Sequence, residues 1–401
     1  MDVVVPDTQS LTPDTRRMRK FQFIALLLGI TSAACGRGTD GRDRAFGAGS
    51  AQVEQTATSE FGRLIQQLSE PGGYFDTDNL ISNETSYLHV MGKMREMGVS
   101  GGAYLGVGPD QNFSYVAQIR PTIAFMIDIR RDNLLQHLLF KALFELSDNR
   151  VHYLAMLFGR PVPEDAAAWE SRSIRDLVEY IDGIPSEEAS VASFRKAIEA
   201  RVADFGFPLS DTDLRTIRRF HDTFIRAGLG LRFNSFDRAP QPYYPTFRQL
   251  LLETDLTGKS ANYLAREDDF RFLKSMQQRD RIVPVVGSLA GDHAVRAIGA
   301  YVEEMGERVS AYYTSNVEFY VMGDGSFDRF ADNIAALPRA KPSVIIRSYF
   351  GGRFRTRLPQ SVPGYYSVQL LQTLQSFAEE HEAGRFRSYL DVVTKHSLTL
   401  R

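Results

Sequence analysis

Apolar residues fall along this chain in two rhythms. Short, nearly continuous runs rich in β-branched and aromatic residues occupy Ala103 to Gly108, Ile123 to Ile129, Arg281 to Gly287, Val309 to Tyr313 and Ser343 to Arg347. Such runs are the pattern of strands buried on both faces. Pro284 inside the third run argues for an edge strand or a strand start, because proline cannot donate to a ladder. Helical spacing predicts helices over Phe61–Leu68, Leu88–Met97, Phe113–Ile119, Leu134–Leu146, Asp292–Met305, Phe327–Ala336 and Tyr366–Glu380, with a Pro-marked aromatic start to another at Tyr243–Leu252. Val392 to Leu400 reads as a last strand. Strands alternating with helices predict an α/β fold with a doubly wound, mostly parallel sheet.

Between about Val151 and Leu229 the strand signal vanishes. Ser171–Ile181, Glu187–Phe205 and Asp211–Ile225 read as helices set apart by Gly and Pro, so residues of about 150–230 form a helical insertion into the α/β core. No internal repeat is evident.

The N-terminus follows neither rhythm. Arg16, Arg17, Arg19 and Lys20 precede a mostly apolar stretch from Phe21 to Ala34, and Ser32-Ala33-Ala34 leads into Cys35. Basic cluster, short apolar run and small residues define a secretory signal, and the run is too short to span a bilayer, which takes roughly 20 residues. Ser-Ala-Ala-Cys resembles the lipobox of bacterial lipoproteins, which implies lipidation of Cys35 and a membrane tether; Ser32 stands where such boxes usually carry Leu. An ordinary signal peptide with an incidental cysteine is the competing reading, and Thr15-Arg16-Arg17 also fits a twin-arginine signal. Met18 can serve as an alternative start. Residues 36–59 are rich in Gly, Asp, Arg, Ser and Thr and read as a flexible tether, leaving 60–401 as the folded domain.

Composition narrows the picture little. The net charge is −2, from 47 basic and 49 acidic residues, which gives no basic excess and argues against a general nucleic-acid binder. The single cysteine excludes an intrachain disulfide and any multi-cysteine metal site. Gly258-Lys259-Ser260 looks like the end of a phosphate-binding loop, but the glycine needed upstream is Glu253. His137, in an apolar helix, reads as a satisfied core residue.

Candidate chemistry gathers at strand ends. Tyr104-Leu105-Gly106-Val107-Gly108-Pro109-Asp110-Gln111-Asn112 ends a strand in glycines and opens a helix. Glycines there let the backbone approach a ligand and present helix N–H groups to it. Asp128 closes the next strand 20 residues past Gly108, where dinucleotide folds place the acid that takes ribose hydroxyls. Thr314-Ser315-Asn316-Val317-Glu318 follows the fourth strand. At these positions the sequence resembles the class I S-adenosylmethionine-dependent methyltransferase superfamily, in which a glycine-rich loop follows strand one, an acid closes strand two and an active-site motif follows strand four.

The likeness covers residues 100–147 and 278–350. It implies a Rossmann-like fold with S-adenosylmethionine as cofactor, held by Gly106, Gly108, Asp110, Gln111, Asn112 and Asp128, with Asn316 and Glu318 carrying catalysis. Two positions depart from it: Tyr104 replaces the acid two residues before the first glycine, and Asp110-Gln111-Asn112 replaces the third glycine.

Plainer readings stand beside each of these. The glycine turn can be a ligand-free βα connection, Asp132 or Asn133 can cap the next helix with Arg130 and Arg131 in ion pairs, Asn316 can be an N-cap, and Arg347 can sit in a structural ion pair. Export also removes a protein from the cytoplasmic supply of nucleotide cofactors. Two functions therefore remain open: a methyltransferase-like enzyme that binds a small-molecule ligand, and a noncatalytic lipoprotein using the same cleft for ligand or partner recognition.

Overall fold

The computed structural model describes residues 58–236, 241–351 and 356–401. The predicted signal, Cys35 and nearly all of the predicted tether lie outside them. Ser59, the last residue assigned to the tether, already belongs to the fold. It caps the first helix with its side chain and donates its backbone N–H to Gly206.

Six strands form one sheet: β1 (Ala103–Val107), β2 (Ile123–Asp128), β3 (Ile282–Val286), β4 (Val309–Ser315), β5 (Arg339–Phe350) and β6 (Ser367–Thr373). Their order is β3-β2-β1-β4-β5-β6, parallel except for β6, which runs antiparallel to β5. Pro284 lies on β3, an outer strand bonded only to β2, where its missing N–H is tolerated.

The described helices are α1 (Glu60–Leu68), α2 (Met91–Glu96), α3 (Gln111–Ile119), α4 (Arg131–Leu146), α5 (Arg150–Phe158), α6 (Ile174–Gly183), α7 (Glu188–Ala203), α8 (Asp211–Ala227), α9 (Phe247–Leu252), α10 (Glu267–Gln278), α11 (Ala294–Glu304), α12 (Val317–Asp324), α13 (Phe327–Ala335), α14 (Leu374–Glu382) and α15 (Tyr389–Thr394). One face of the sheet carries α3 and α4, with α10 packed on both; the other carries α11, α13 and α14. Tyr115 of α3 meets Tyr104 and Tyr313 on the first face, and Tyr301 of α11 meets Phe125 on the second. The insertion, α5 to α9, packs onto α4 chiefly through α7 and α8. Capping boxes at Ser173/Asp176, Ser210/Asp213 and Thr246/Gln249 start its separate helices.

The C-terminal part corrects two expectations. Residues 366–380 are not one helix: β6 fills the first half and α14 begins at Leu374. Ser367, Gln369 and Gln372 look like the polar side of a helix, yet all three are buried, with Gln369 and Gln372 bonded to Ser348 and Arg347 of β5 and Ser367 to Ser86 of the strap. Residues 392–400 form no strand; Ser388 accepts from the Asp391 N–H and starts α15 instead, so a local cap overrides the β-branched pair Val392-Val393.

One segment matters more than its length suggests. Residues 70–88 run as a strap along the carboxyl edge of the parallel strands. Gly73 donates to the Ile129 carbonyl past β2, Asn79 lies against Gly108 past β1, Glu84 meets Ser315 at the end of β4, and Ser86 meets Ser367 of β6.

Candidate functional site

Strand order reverses between β1 and β4, which run to the same edge from opposite sides of the sequence. That is where open α/β sheets form their crevice. Gly106, Gly108, Asp128, Ser315 and Asn316 all reach this edge, since β2, β1 and β4 are parallel neighbours.

The β1–α3 turn is built from its own side chains. A Cβ on Gly106 would lie 1.9 Å from Asn112 Oδ1 and 2.7 Å from the Tyr104 hydroxyl. Gly106 is therefore needed so that Tyr104 can donate to Asn112 Oδ1 at 2.7 Å. Asn112 Nδ2 then donates to the carbonyls of Val107 and Pro109 at 3.0 and 2.8 Å. The predicted ligand-binder Asn112 is thus the clasp of the turn. Gly108 has φ 87, and His137 Nε2 donates to its carbonyl at 2.9 Å.

Asp110 is buried, with the Tyr263 hydroxyl donating to it at 3.1 Å. Burial without a cation pushes its carboxyl up to about 7. Gln111 donates through Nε2 to the Tyr313 hydroxyl at 3.2 Å.

At the end of β2, Asp128 is held by its neighbour. Arg130 donates to it from the backbone N–H at 2.9 Å, from Nε at 3.1 Å and from Nη2 at 3.0 Å, while Nη1 reaches the Thr77 and Asp78 carbonyls of the strap. Both side chains are buried, so this pair ties strap to sheet. The capping alternative fails here: Arg130 itself occupies the N-cap of α4 without a side-chain cap bond. Arg131 instead pairs with Asp213 of α8.

The end of β4 splits the two predicted catalytic residues. Asn316 is half-buried at the N-cap of α12 and makes no side-chain cap bond. Glu318 is sealed on the face carrying α14. Arg347 Nε donates to its Oε1 at 2.9 Å, and Thr314 Oγ1 does so at 2.8 Å. The structure does not bring Glu318 to the cleft beside Asn316, and Arg347 is the structural ion-pair residue.

A carboxylate does stand at the cleft, and sequence reasoning missed it. Glu84 of the strap accepts from the Tyr313 hydroxyl at 2.7 Å and the Ser315 hydroxyl at 2.5 Å. Ser348 and Gln369 also face it, and among the described residues no cation does. Burial pushes its carboxyl up. Its 231-residue separation from Ser315 left no local signal.

Among the described residues, polar atoms without a protein partner lie on three elements that meet at this edge, the strap, α3 and α4. They are Thr77 Oγ1 on the strap, Gln111 Oε1 at the start of α3, and Asn133 Nδ2 and Oδ1 with His137 Nδ1 on α4. Burial lowers His137 to about 4, so the ring is neutral near pH 7. With Nε2–H given to Gly108, Nδ1 is a bare acceptor. Buried polar groups normally find partners, so this set calls for water or a ligand with several hydroxyl or amino groups.

Fold and site define an α/β protein with a mostly parallel six-stranded sheet, helices on both faces and a group of buried polar side chains at the strand-order reversal. Residues 80–397 match the model of a family described as a domain of unknown function, DUF7790. The match spans most of the chain, and the protein belongs to that family. No curated protein matches it.

Proposed function

We propose that this protein is Rossmann-like and methyltransferase-like, and that it binds a nucleotide-type ligand, S-adenosylmethionine first among them, at the carboxyl edge around Gly108. The observation that carries this reading is the set of orphaned atoms on Thr77, Gln111, Asn133 and His137. Ribose hydroxyls both donate and accept, which suits a bare imidazole nitrogen, an amide oxygen and a whole carboxamide.

S-adenosylmethionine would supply an electrophilic methyl group. The residues of this chain would bind and orient it: Asn133 and His137 as sugar partners, the Gly106–Gly108 backbone as the close approach, and Asp110, Gln111 and Asn112 as the frame of the turn. Asp128 carries two donors on Oδ1 and one on Oδ2, which leaves Oδ2 able to accept one hydroxyl more. Asn316 is the half-buried polar group at the end of β4, while Glu318 would act only through the Thr314 hydroxyl that it holds.

Calorimetric titration of the full chain with S-adenosylmethionine tests the reading. Asn133→Leu is the sharpest variant, because Asn133 makes no side-chain bond among the described residues. We expect unchanged or raised stability with affinity lowered roughly tenfold or more, the loss of one to two hydrogen bonds at about 1–1.5 kcal/mol each. Absence of binding by the wild-type protein ends the S-adenosylmethionine reading.

A second reading has its own support. Asp128 and Glu318 are both taken up in ion pairs, as in a cleft kept for recognition rather than chemistry. It joins the proposal that the protein is exported and lipidated at Cys35 and tethered to a membrane. A diacylated Cys35 in mass spectra of membrane-extracted protein is the expected result.

A further inference from the structure

Ser315 ends β4 with φ 55, the left-handed region that a serine enters only against steric resistance. Strain of this kind collects at functional sites. Asn316 follows, and α12 begins at Val317, so the serine sits on a sharp strand-to-helix turn at the carboxyl edge of a parallel sheet. Its hydroxyl donates to Glu84 Oε1 at 2.5 Å, and the Tyr313 hydroxyl fixes Glu84 Oε2 at 2.7 Å. A hydroxyl, a carboxylate within hydrogen-bond reach and a third group orienting that carboxylate are the parts of an activated nucleophile. The strained turn is how such a serine is raised above a sheet edge.

We propose that Ser315 is a nucleophile with Glu84 as its general base and Tyr313 as a positioning residue, acting on uncharged carboxylic esters. This goes beyond nucleotide binding and does not depend on it. Burial, with no cation beside it among the described residues, makes Glu84 a stronger base than an exposed carboxylate, as general-base glutamates require. The ester is uncharged because an anionic substrate would meet the carboxylate of Glu84, beside which no cation stands among the described residues.

Ser315 Oγ attacks the carbonyl carbon while its proton passes to Glu84. The developing oxyanion takes its hydrogen bond from the backbone N–H of the residue after the nucleophile, Asn316. The carbon–oxygen bond to the alcohol then breaks, and the alcohol leaves with the proton from Glu84. Water next attacks the acyl-serine, its proton passes through Glu84 to Ser315, and a carboxylic acid is released.

A fluorophosphonate probe tests this without knowledge of the substrate. The full chain is incubated with the probe, digested, and mapped by mass spectrometry. The expected result is a phosphonyl adduct on Ser315, absent in Ser315→Ala, and formed about 100-fold more slowly in Glu84→Gln, the lower range of general-base effects. Circular dichroism shows that both variants are folded. No adduct on Ser315 in the wild-type protein overturns the proposal, and so does equal labelling of folded Glu84→Gln. The wild-type result decides by itself, so a misfolded variant cannot hide the answer. Titration with S-adenosylmethionine reads the nucleotide site separately.

Discussion

Two buried glutamates meet β4 near its end, one on each face of the sheet, and their surroundings differ in kind. Glu318 has a guanidinium 2.9 Å away, and burial pushes the carboxyl up and Arg347 down against their mutual attraction. Glu84 has, among the described residues, only hydroxyl and amide neighbours. The first arrangement is a pair of charges that must stay together; the second is a single acid held by neutral donors. A paired charge is costly to break and chemically quiet. A lone acid among hydroxyls can take up and return a proton without dismantling the fold.

The largest effect should come from breaking the pair. Arg347→Met leaves Glu318 buried without its cation, and Glu318 Oε2 already lacks a partner. A loss of about 3–5 kcal/mol is expected in urea or thermal unfolding. Glu84→Gln removes no cation and keeps a side chain of the same shape, so it should shift stability by no more than about 1 kcal/mol. Comparable losses in the two variants would erase the distinction.

That distinction was only half legible in the sequence. The apolar runs at 103–108, 123–129 and 309–313 gave β1, β2 and β4 because parallel strands buried on both faces have no polar side to disguise them. Pro284 marked the outer strand for the same kind of local reason. Glu318 drew attention because it follows β4 directly, yet its position on a helix turns it to the far face, beside Arg347. Glu84 stood in an unremarkable stretch, Ile81-Ser82-Asn83-Glu84, whose role depends on the strap crossing three strand ends. Ser367, Gln369 and Gln372 hid β6 in the same way: buried polar residues bonded to β5 and to the strap carry no apolar signature. Asn112 was noticed for the right turn, but its part as a clasp needed the Tyr104 hydroxyl eight residues earlier.

Asp110 extends the comparison to a third acid of the lone kind. Its carboxyl is raised from 3.8 to about 7 by burial beside Tyr263. The folded state therefore holds the proton more tightly than the unfolded state. The stability this gives is complete below pH about 4 and is lost as pH rises toward about 7. Asp110→Asn should remove that slope, so wild type and variant should diverge steadily across this range in denaturant midpoints. Parallel curves would show that Asp110 keeps an ordinary affinity for its proton, and would weaken the contrast between lone and paired acids.

The smallest effect concerns the serine that touches Glu84. A non-glycine residue in the left-handed region costs on the order of 1–3 kcal/mol, whereas glycine adopts it freely and gives up roughly 0.5–1 kcal/mol in chain entropy. Ser315→Ala and Ser315→Gly both lose the hydroxyl bond to Glu84, so that loss cancels between them. What remains is the backbone at φ 55: alanine keeps the strain and glycine relieves it. Ser315→Gly should therefore be the more stable of the two by about 1 kcal/mol, although glycine is ordinarily the worse residue. Paired urea melts of the two variants measure the difference directly. An alanine variant as stable as the glycine one would mean that the turn stores no strain, and Ser315 would then be an ordinary serine bonded to a buried acid.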